Sequence, residues 1–340
     1  MTVRRSILLL LLFVPGWGTM PRRDILGDQP RFALTPVQLR SHGGGARLGG
    51  LTFLTGYRLT SPDSAFGGFS SLMVDHHQRS GDRFTLLSDG GTIVRFRLDA
   101  QGRVSDRHFG DLPGGPGTGW QKIDRDSESM TRDPATGKIW VGFERANAIW
   151  RFAPDLARAE RWSAPSVMHD WPKNGGPEAM VRLSSGDFIV FSEEEKGQAN
   201  RGRAAIRFAG DPTMLPGRAT VFTYLPPIGF EPTDAAELPD GRLALLNRRF
   251  DWWAGFTAVL TVVDPTRIRA GATLRAQEIA RFAGDVLHDN FEGLAVTREG
   301  ENVIIWIISD DNQSSFQQTL LLKFRLDPAT APSPSRTSTR

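Results

Sequence analysis

One strand grammar recurs five times along this chain, and such a repeat narrows the possible folds more than any single motif does. The first unit runs from FGGFSSLMVD (66–75) through RFTLLSD (83–89) to IVRFRLD (93–99). The second has SESM (127–130), KIWVGFER (138–145) and IWRFAPD (149–155), and the third PEAM (177–180), DFIVFSEEE (187–195) and IRFAGD (206–211). A more divergent fourth reads PTDAAEL (232–238), RLALLNRR (242–249) and VLTVVDP (259–265); the fifth reads FEGLAV (291–296), NVIIWIISDD (302–311) and LLLKFRLD (320–327). In each, a short apolar strand is followed by a glycine turn and a second strand apolar throughout, as a strand buried on both faces must be. The third strand alternates, with Arg95, Arg151, Arg207 or Lys323 between apolar neighbours, so one of its faces is wet.

A fourth strand fits after the third at Val104–Phe109, Ala159–Trp162, Ala219–Tyr224 and Gln277–Phe282. The fifth unit has none downstream, while Gly50 to Leu59 has no unit of its own. Pairing these two closes a ring and removes an exposed sheet edge. The reading is all-β: a β-propeller of five or six blades of four antiparallel strands, closed by an N-terminal strand and spanning 30–327. The 36 glycines and 22 prolines agree with many short strands and turns.

The two ends carry different information. Arg4 and Arg5, the eight apolar residues Ile7 to Val14, and then Pro15, Gly16 and Gly18 read as an export signal over 1–20, too short for a bilayer core that needs about 20 residues. A periplasmic or secreted monomer without a stable membrane anchor is expected. The Pro/Ser/Thr/Ala-rich stretch 328–340 reads as a disordered tail. The formal charge is +3, and Arg4, Arg5, Arg336 and Arg340 all lie at the ends, leaving a body near neutrality. No nucleic-acid partner is therefore expected. The absence of cysteine excludes disulfides, thiolate zinc sites and thiol nucleophiles.

Antiparallel pairing places the start of each first strand beside the end of each second strand, on one face of the disc. That face collects Glu128, Glu178, Asp234 and Glu292 from the first strands. From the ends of the second strands it collects Asp89, Glu144, Glu193, Glu194, Asp310 and Asp311. Carboxylates this close raise one another's pKa unless cations offset them. Oxygen-only donors favour a hard cation, calcium first. Arg145, Arg248 and Arg249 follow second strands on the same face and suit an anionic group. His169 and His288 precede first strands there and suit proton donation. An equally direct role for the repeated acids is structural: each accepts backbone N–H groups of the next blade as a latch. His76 and His77 fall in a turn on the opposite face, where solvated positions are expected. No nucleophile elbow, H-E-x-x-H, Walker or Rossmann pattern is present.

Together, FGGFSSL with LLSDGG, DSESM with VGFER, GPEAM with FSEEE, and NFEGLAV with ISDDNQ and LLLKFRL resemble the phytase-like domain, also called esterase-like activity of phytase, over roughly 50–327. The resemblance implies an exported bacterial propeller related to calcium-dependent phytases, which hydrolyse phosphomonoesters with metal-activated water in an acidic channel. It would place calcium at Glu128, Glu178, Glu292, Asp310 and their neighbours, with Arg145 or Arg248 on phosphate. Unit four departs from the pattern, with Thr233–Asp234–Ala235 at its start and Asn247–Arg248–Arg249 where other units carry acids. Three functions stay open: a calcium-dependent phosphoester hydrolase, with Glu128, Glu178, Glu292 or His288 as catalytic groups; a lactonase or carboxylic esterase on the same metal face; or a binding scaffold without turnover. The expected partner is a small-molecule ester or phosphoester.

Overall fold

The computed structural model describes residues 22–39, 47–197, 202–253, 255–283, 289–314 and 316–328. The expected leader, and the expected tail beyond its first residue, lie outside them. Among the described residues no helix is long and apolar enough to cross a membrane.

The chain opens with β1 (Ala33–Pro36), β2 (Arg47–Leu48) and β3 (Leu51–Thr60). Blade 1 follows as β4 (Phe69–Asp75), β5 (Asp82–Ser88), β6 (Thr92–Leu98) and β7 (Val104–Asp111). Blade 2 is β8 (Ser127–Arg132), β9 (Ile139–Phe143), β10 (Ala148–Phe152) and β11 (Ala159–Ser163). Blade 3 is β12 (Pro177–Arg182), β13 (Phe188–Lys196), β14 (Arg203–Phe208) and β15 (Ala219–Leu225). Blade 4 contains β16 (Glu231–Glu237), β17 (Leu243–Asp251) and β18 (Gly255–Val263). Next, β19 (Thr273–Arg275) crosses to the edge of blade 3, parallel to β15, before β20 (Gln277–Phe282) completes blade 4. Blade 5 has β21 (Phe291–Glu299), β22 (Asn302–Ser309) and β23 (Thr319–Leu326).

The blade count is five. Innermost strands touch in a circle: β4 meets β8, β8 meets β12, β12 meets β16, β16 meets β21, and β21 returns to β4. The N-terminal strand closes it, β3 running antiparallel to β23 from Leu51↔Leu326 to Leu59↔Thr319. β1 and β2 also pair with β3, so the N-terminal segment completes the fifth blade and builds no sixth. Sealing the first strand against the last leaves neither edge of that junction unpaired.

Five apolar cores hold the disc together, one between each pair of neighbouring blades. The doubly buried second strands explain how. Along β22, Ile305 and Ile307 enter the core shared with blade 4, whereas Ile304, Trp306 and Ile308 enter the core shared with blade 1. Along β13, Ile189 and Phe191 face blade 4 while Phe188 and Val190 face blade 2. The two-residue period of a strand thus feeds two cores at once.

Outside the repeats, Arg23 ties the segment ahead of residue 30 to blades 1 and 2: its buried guanidinium pairs with Asp111 and donates to Gly119 O (2.7 Å) and Gly90 O (3.0 Å). On the lower face, His76 is not merely solvated. Its Nδ1 lies 2.6 Å from Asp82 Oδ1, beside Glu299, and Lys323 Nζ serves as the cation of this group, 2.5 Å from Glu299 Oε1.

Candidate functional site

Every innermost strand carries one extra residue at the same place. The register against the second strand slips between Phe69 and Ser71, Ser127 and Ser129, Pro177 and Ala179, Pro232 and Asp234, and Phe291 and Gly293. The bulged residues are Ser70, Glu128, Glu178, Thr233 and Glu292. A bulge bends its strand and re-aims a side chain. The carbonyl just before each of the three bulged glutamates is held by the preceding blade: Ser70 Oγ donates to Ser127 O (2.6 Å), Ser129 Oγ to Pro177 O (2.7 Å) and Thr233 Oγ1 to Phe291 O (3.3 Å). Packing is tight next to Glu292, where a Cβ on Gly293 would stand 2.6 Å from Ile308 and 3.1 Å from the Leu72 backbone nitrogen.

These glutamates meet acids from the ends of the second strands. Asp126, Glu128 and Glu144 bring carboxylate oxygens within 4.8 Å of one another, and so do Glu144, Glu178 and Glu193. Glu144 belongs to both groups. Past Glu193 stands Arg248, which donates from Nη2 to Glu193 Oε1 (2.6 Å) and from Nη1 to Glu292 Oε1 (2.6 Å) and Asn290 Oδ1 (3.0 Å). Asp310 and Asp89 complete the circuit, Asp310 acting on Glu292 and Asp89 on both Asp310 and Glu128. Lys122 pairs with Asp89.

Negative charge exceeds positive charge here, and the proton affinities show it. Burial, then the neighbouring carboxylates, push Glu128 and Glu178 well above the usual range. Burial raises Glu144 to about 7; a hydrogen bond with Glu178 opposes this, while Asp126 and Glu193 add to it. Glu292 rises to about 8 through burial, even with Arg248 pulling it down. Asp310 rises to about 7 through burial and Asp89. For Arg248, burial works against the charge, but Glu292, Glu193 and Glu178 outweigh it and push the guanidinium up. Lys122 and Arg248 do not balance so many carboxylates. The donors of this site are all oxygen, and their spacing suits a hard divalent ion rather than a thiophilic one.

The family model described as phytase-like, esterase-like activity of phytase, matches residues 64–313. The chain belongs to this family. No curated protein matches it in sequence. Among solved structures, the phytase-like chain is similar to a hypothetical protein from Leishmania major (10% identity, 77% of this chain and 85% of that one, TM-score 0.42). It is also similar to Kuenenia stuttgartiensis hydrazine synthase (11%, 72% and 77%, TM-score 0.36) and to a nidogen/laminin complex (12%, 81% and 94%, TM-score 0.39).

Two expected ligands of the phytase-like chain lie outside both three-carboxylate groups, although Glu292 still acts on Asp234 and Asp311 on Asp310. Asp234 sits one residue past the bulge, where Thr233 occupies the place of the glutamates. Its buried carboxylate accepts from Ala235 N and, across the blade junction, from Leu294 N, both at 2.8 Å. Asp311 accepts from Gly68 N (3.0 Å), Gln313 N (3.0 Å) and Thr319 Oγ1 (2.8 Å). Its partner loop requires glycine: Gly67 has φ +130°, and a Cβ there would collide with the Asp311 carboxylate. Both acids are latches between blades. Asp234→Ala should lower stability by about 2 kcal/mol, because two buried amides lose their acceptor, yet leave calcium affinity unchanged. Thermal melting and calcium calorimetry on this variant beside Glu178→Gln separate the two roles; a loss of calcium binding in Asp234→Ala would remove the latch assignment.

The remaining candidates are peripheral. Arg145 donates to Asn174 Oδ1 (3.0 Å) on the rim and acts on Asp126. Arg249 stacks over Phe230, 4.9 Å from the ring centre. His169 is exposed, with its Nδ1 2.8 Å from Asp170 Oδ1, and His288 lies outside the described residues. Lys122 and Asp126 sit in the connection before β8, outside the repeated phrases, so the repeat does not point to either of them.

Proposed function

We propose that this protein is an exported, calcium-dependent hydrolase of small-molecule phosphoesters. The observation that carries the reading is the cluster of oxygen donors short of positive charge, with Lys122 at one end and Arg248 at the other. Asp126, Glu128, Glu144, Glu178 and Glu193 would hold calcium. When bound, calcium supplies charge neutralisation and polarisation of the P–O bond. The chain does the rest. Lys122 and Arg145 offer their charge to phosphate oxygens. Arg248 fixes Glu193 and Glu292 by direct hydrogen bonds, so both carboxylates keep one orientation. Glu292, outside both three-carboxylate groups and with a proton affinity near neutrality, takes the proton of the attacking water. Asp310, at about 7, holds a proton that can pass to the leaving oxygen.

Assays with p-nitrophenyl phosphate and p-nitrophenyl butyrate, each in calcium and in EDTA, test this. Calcium-dependent release from the phosphate is expected, falling at least about a hundredfold in Glu292→Gln, as the loss of a general base does. Release from the butyrate alone would establish the carboxylic esterase reading instead. No turnover of either substrate, with a melting temperature indifferent to EDTA, would leave a scaffold.

A further inference from the structure

Arg95, Arg151, Arg207 and Lys323 hold equivalent places on the third strands of blades 1, 2, 3 and 5, and one of the four lacks what the others have. Arg151 donates from Nε to Glu160 Oε2 (3.2 Å) and from Nη1 to Asp211 Oδ2 (2.7 Å). Arg207 donates from Nε to Asp187 Oδ2 (2.8 Å), and Lys323 donates to Glu299. Arg95 has no carboxylate within hydrogen-bond distance among the described residues. Its Nη1 donates to the backbone oxygen of Asp155 (3.1 Å), the Asp155 carboxylate stands off at 3.8 Å, and its Nε is buried without a partner. Burial lowers the proton affinity of this guanidinium; Asp155 opposes that, and Arg83 adds to it.

Arg95 lines a cavity of about 210 Å³ between blades 1 and 2. Arg83, from the start of β5, and Arg132, from the end of β8, line it as well. These strand ends belong to the lower face, away from the acidic cluster. Against the three guanidiniums stand Asp75, which pairs with Arg132, and Asp155, whose Oδ1 lies 2.5 Å from Arg83 Nη2. Three cations against two anions leave one positive charge in excess. Met73, Ile139 and Leu156 supply apolar wall, beside which charges are weakly screened. The two carboxylates are not held alike. Asp75 accepts from both terminal nitrogens of Arg132, whereas the Asp155 side chain, in the turn after β10, is 62% exposed and can turn out to water at little cost.

We propose that this cavity binds a phosphate-class dianion, either free phosphate or the phosphoryl end of a small monoester. The anion takes over the place of the Asp155 carboxylate between Arg83 and Arg95. With Asp155 turned out, three guanidiniums face Asp75 alone, and the two positive charges in excess match a dianion. Guanidinium forks pair with oxyanions through parallel hydrogen bonds. Three forks outnumber the two oxygens of a carboxylate and suit a tetrahedral group. Because the arginines come from both blades, an occupied cavity ties blade 1 to blade 2. The site lies on the opposite face from the carboxylate cluster and needs no calcium, so it goes beyond the hydrolase reading and does not depend on turnover.

Isothermal titration calorimetry of the full chain in EDTA, near neutral pH, tests the proposal with inorganic phosphate, glycerol phosphate and acetate. The chelator keeps calcium from carrying phosphate to the acidic face. Phosphate or glycerol phosphate should saturate one site, and the tighter of the two tells the free ion from the monoester. Acetate should bind at least about tenfold more weakly. Arg95→Met should weaken phosphate binding by roughly tenfold or more, as the loss of a hydrogen bond between charged groups does. Asp155→Asn should tighten it by up to about fivefold, because the competing internal carboxylate is gone; a misfolded variant cannot give that gain. Arg97→Gln, two residues along β6 and paired with Asp106, should bind as wild type. Wild-type protein that binds neither phosphate overturns the proposal, and so does acetate bound as tightly as phosphate. A loss in Arg97→Gln equal to that in Arg95→Met, or an affinity unchanged in both Arg95→Met and Asp155→Asn, also overturns it. The p-nitrophenyl assays read the acidic face in calcium, so failure of this site and failure of hydrolysis are told apart.

Discussion

Replacing Arg248 by methionine should lower the stability of the metal-free protein by roughly 3–5 kcal/mol near pH 8, a fall in Tm on the order of 10 °C. Among the described residues, Arg248 is the one cation hydrogen-bonded to both Glu193 and Glu292. Methionine fills similar space but leaves two buried carboxylates facing each other, with Asn290 Oδ1 also losing its donor. Breaking one side of a buried ion pair costs far more than the pair itself contributes, because the remaining charge has lost its solvent and its partner. The same substitution makes the cluster more negative, so calcium should bind more tightly and restore much of the lost stability. Differential scanning calorimetry in EDTA and in calcium reads both effects. A variant that melts like wild type in EDTA, or one that gains nothing from calcium beyond the wild-type gain, would contradict the assignment of Arg248 as the internal counter-ion.

Raising the pH should destabilise the chelator-treated protein, and calcium should cancel the effect. Glu144, Glu292 and Asp310 have folded-state values of about 7, 8 and 7, against ordinary values near 4 in an unfolded chain. A raised folded-state pKa means that the native state binds more protons than the unfolded state through the interval between the two values, so stability falls as pH rises across it. The window runs from about pH 4 to about pH 8, most of it above pH 5. A shift of this size corresponds to on the order of 3 kcal/mol for one group, enough for a drop in Tm on the order of 10 °C across the window. Below about pH 5, where protons already neutralise the rim, calcium should add little. A melting temperature in EDTA that is flat or rising from pH 5 to pH 8 would mean that the acids are not crowded as described.

Much of the architecture is legible in the residues. The unbroken apolar runs IIWII of β22 and FIVF of β13 announce strands feeding two cores, and the unpaired segment Gly50 to Leu59 announces its place beside β23. The acids were also visible as a group on one face. What the sequence could not separate was ligand from latch. TDAAE aligns by eye with SESM and PEAM, matching Asp234 to Glu128 and Glu178; the bulge matches Thr233 to them instead. Asp310 and Asp311 are adjacent in sequence, yet one faces the carboxylates and the other accepts three donors from loop and neighbouring blade.

The chain's own text settles what depends on period and local chemistry: strands of two-residue alternation, glycine turns between them, five equivalent units, and an edge that must be covered. Those features are decided within a few residues of each other. Tertiary structure alone decides which carboxylates converge, because a single inserted residue moves a side chain from one face of a strand to the other. It decides the pairing of Arg248 for the same reason, since Glu193 and Glu292 come from blades on either side of it and meet only when the ring closes.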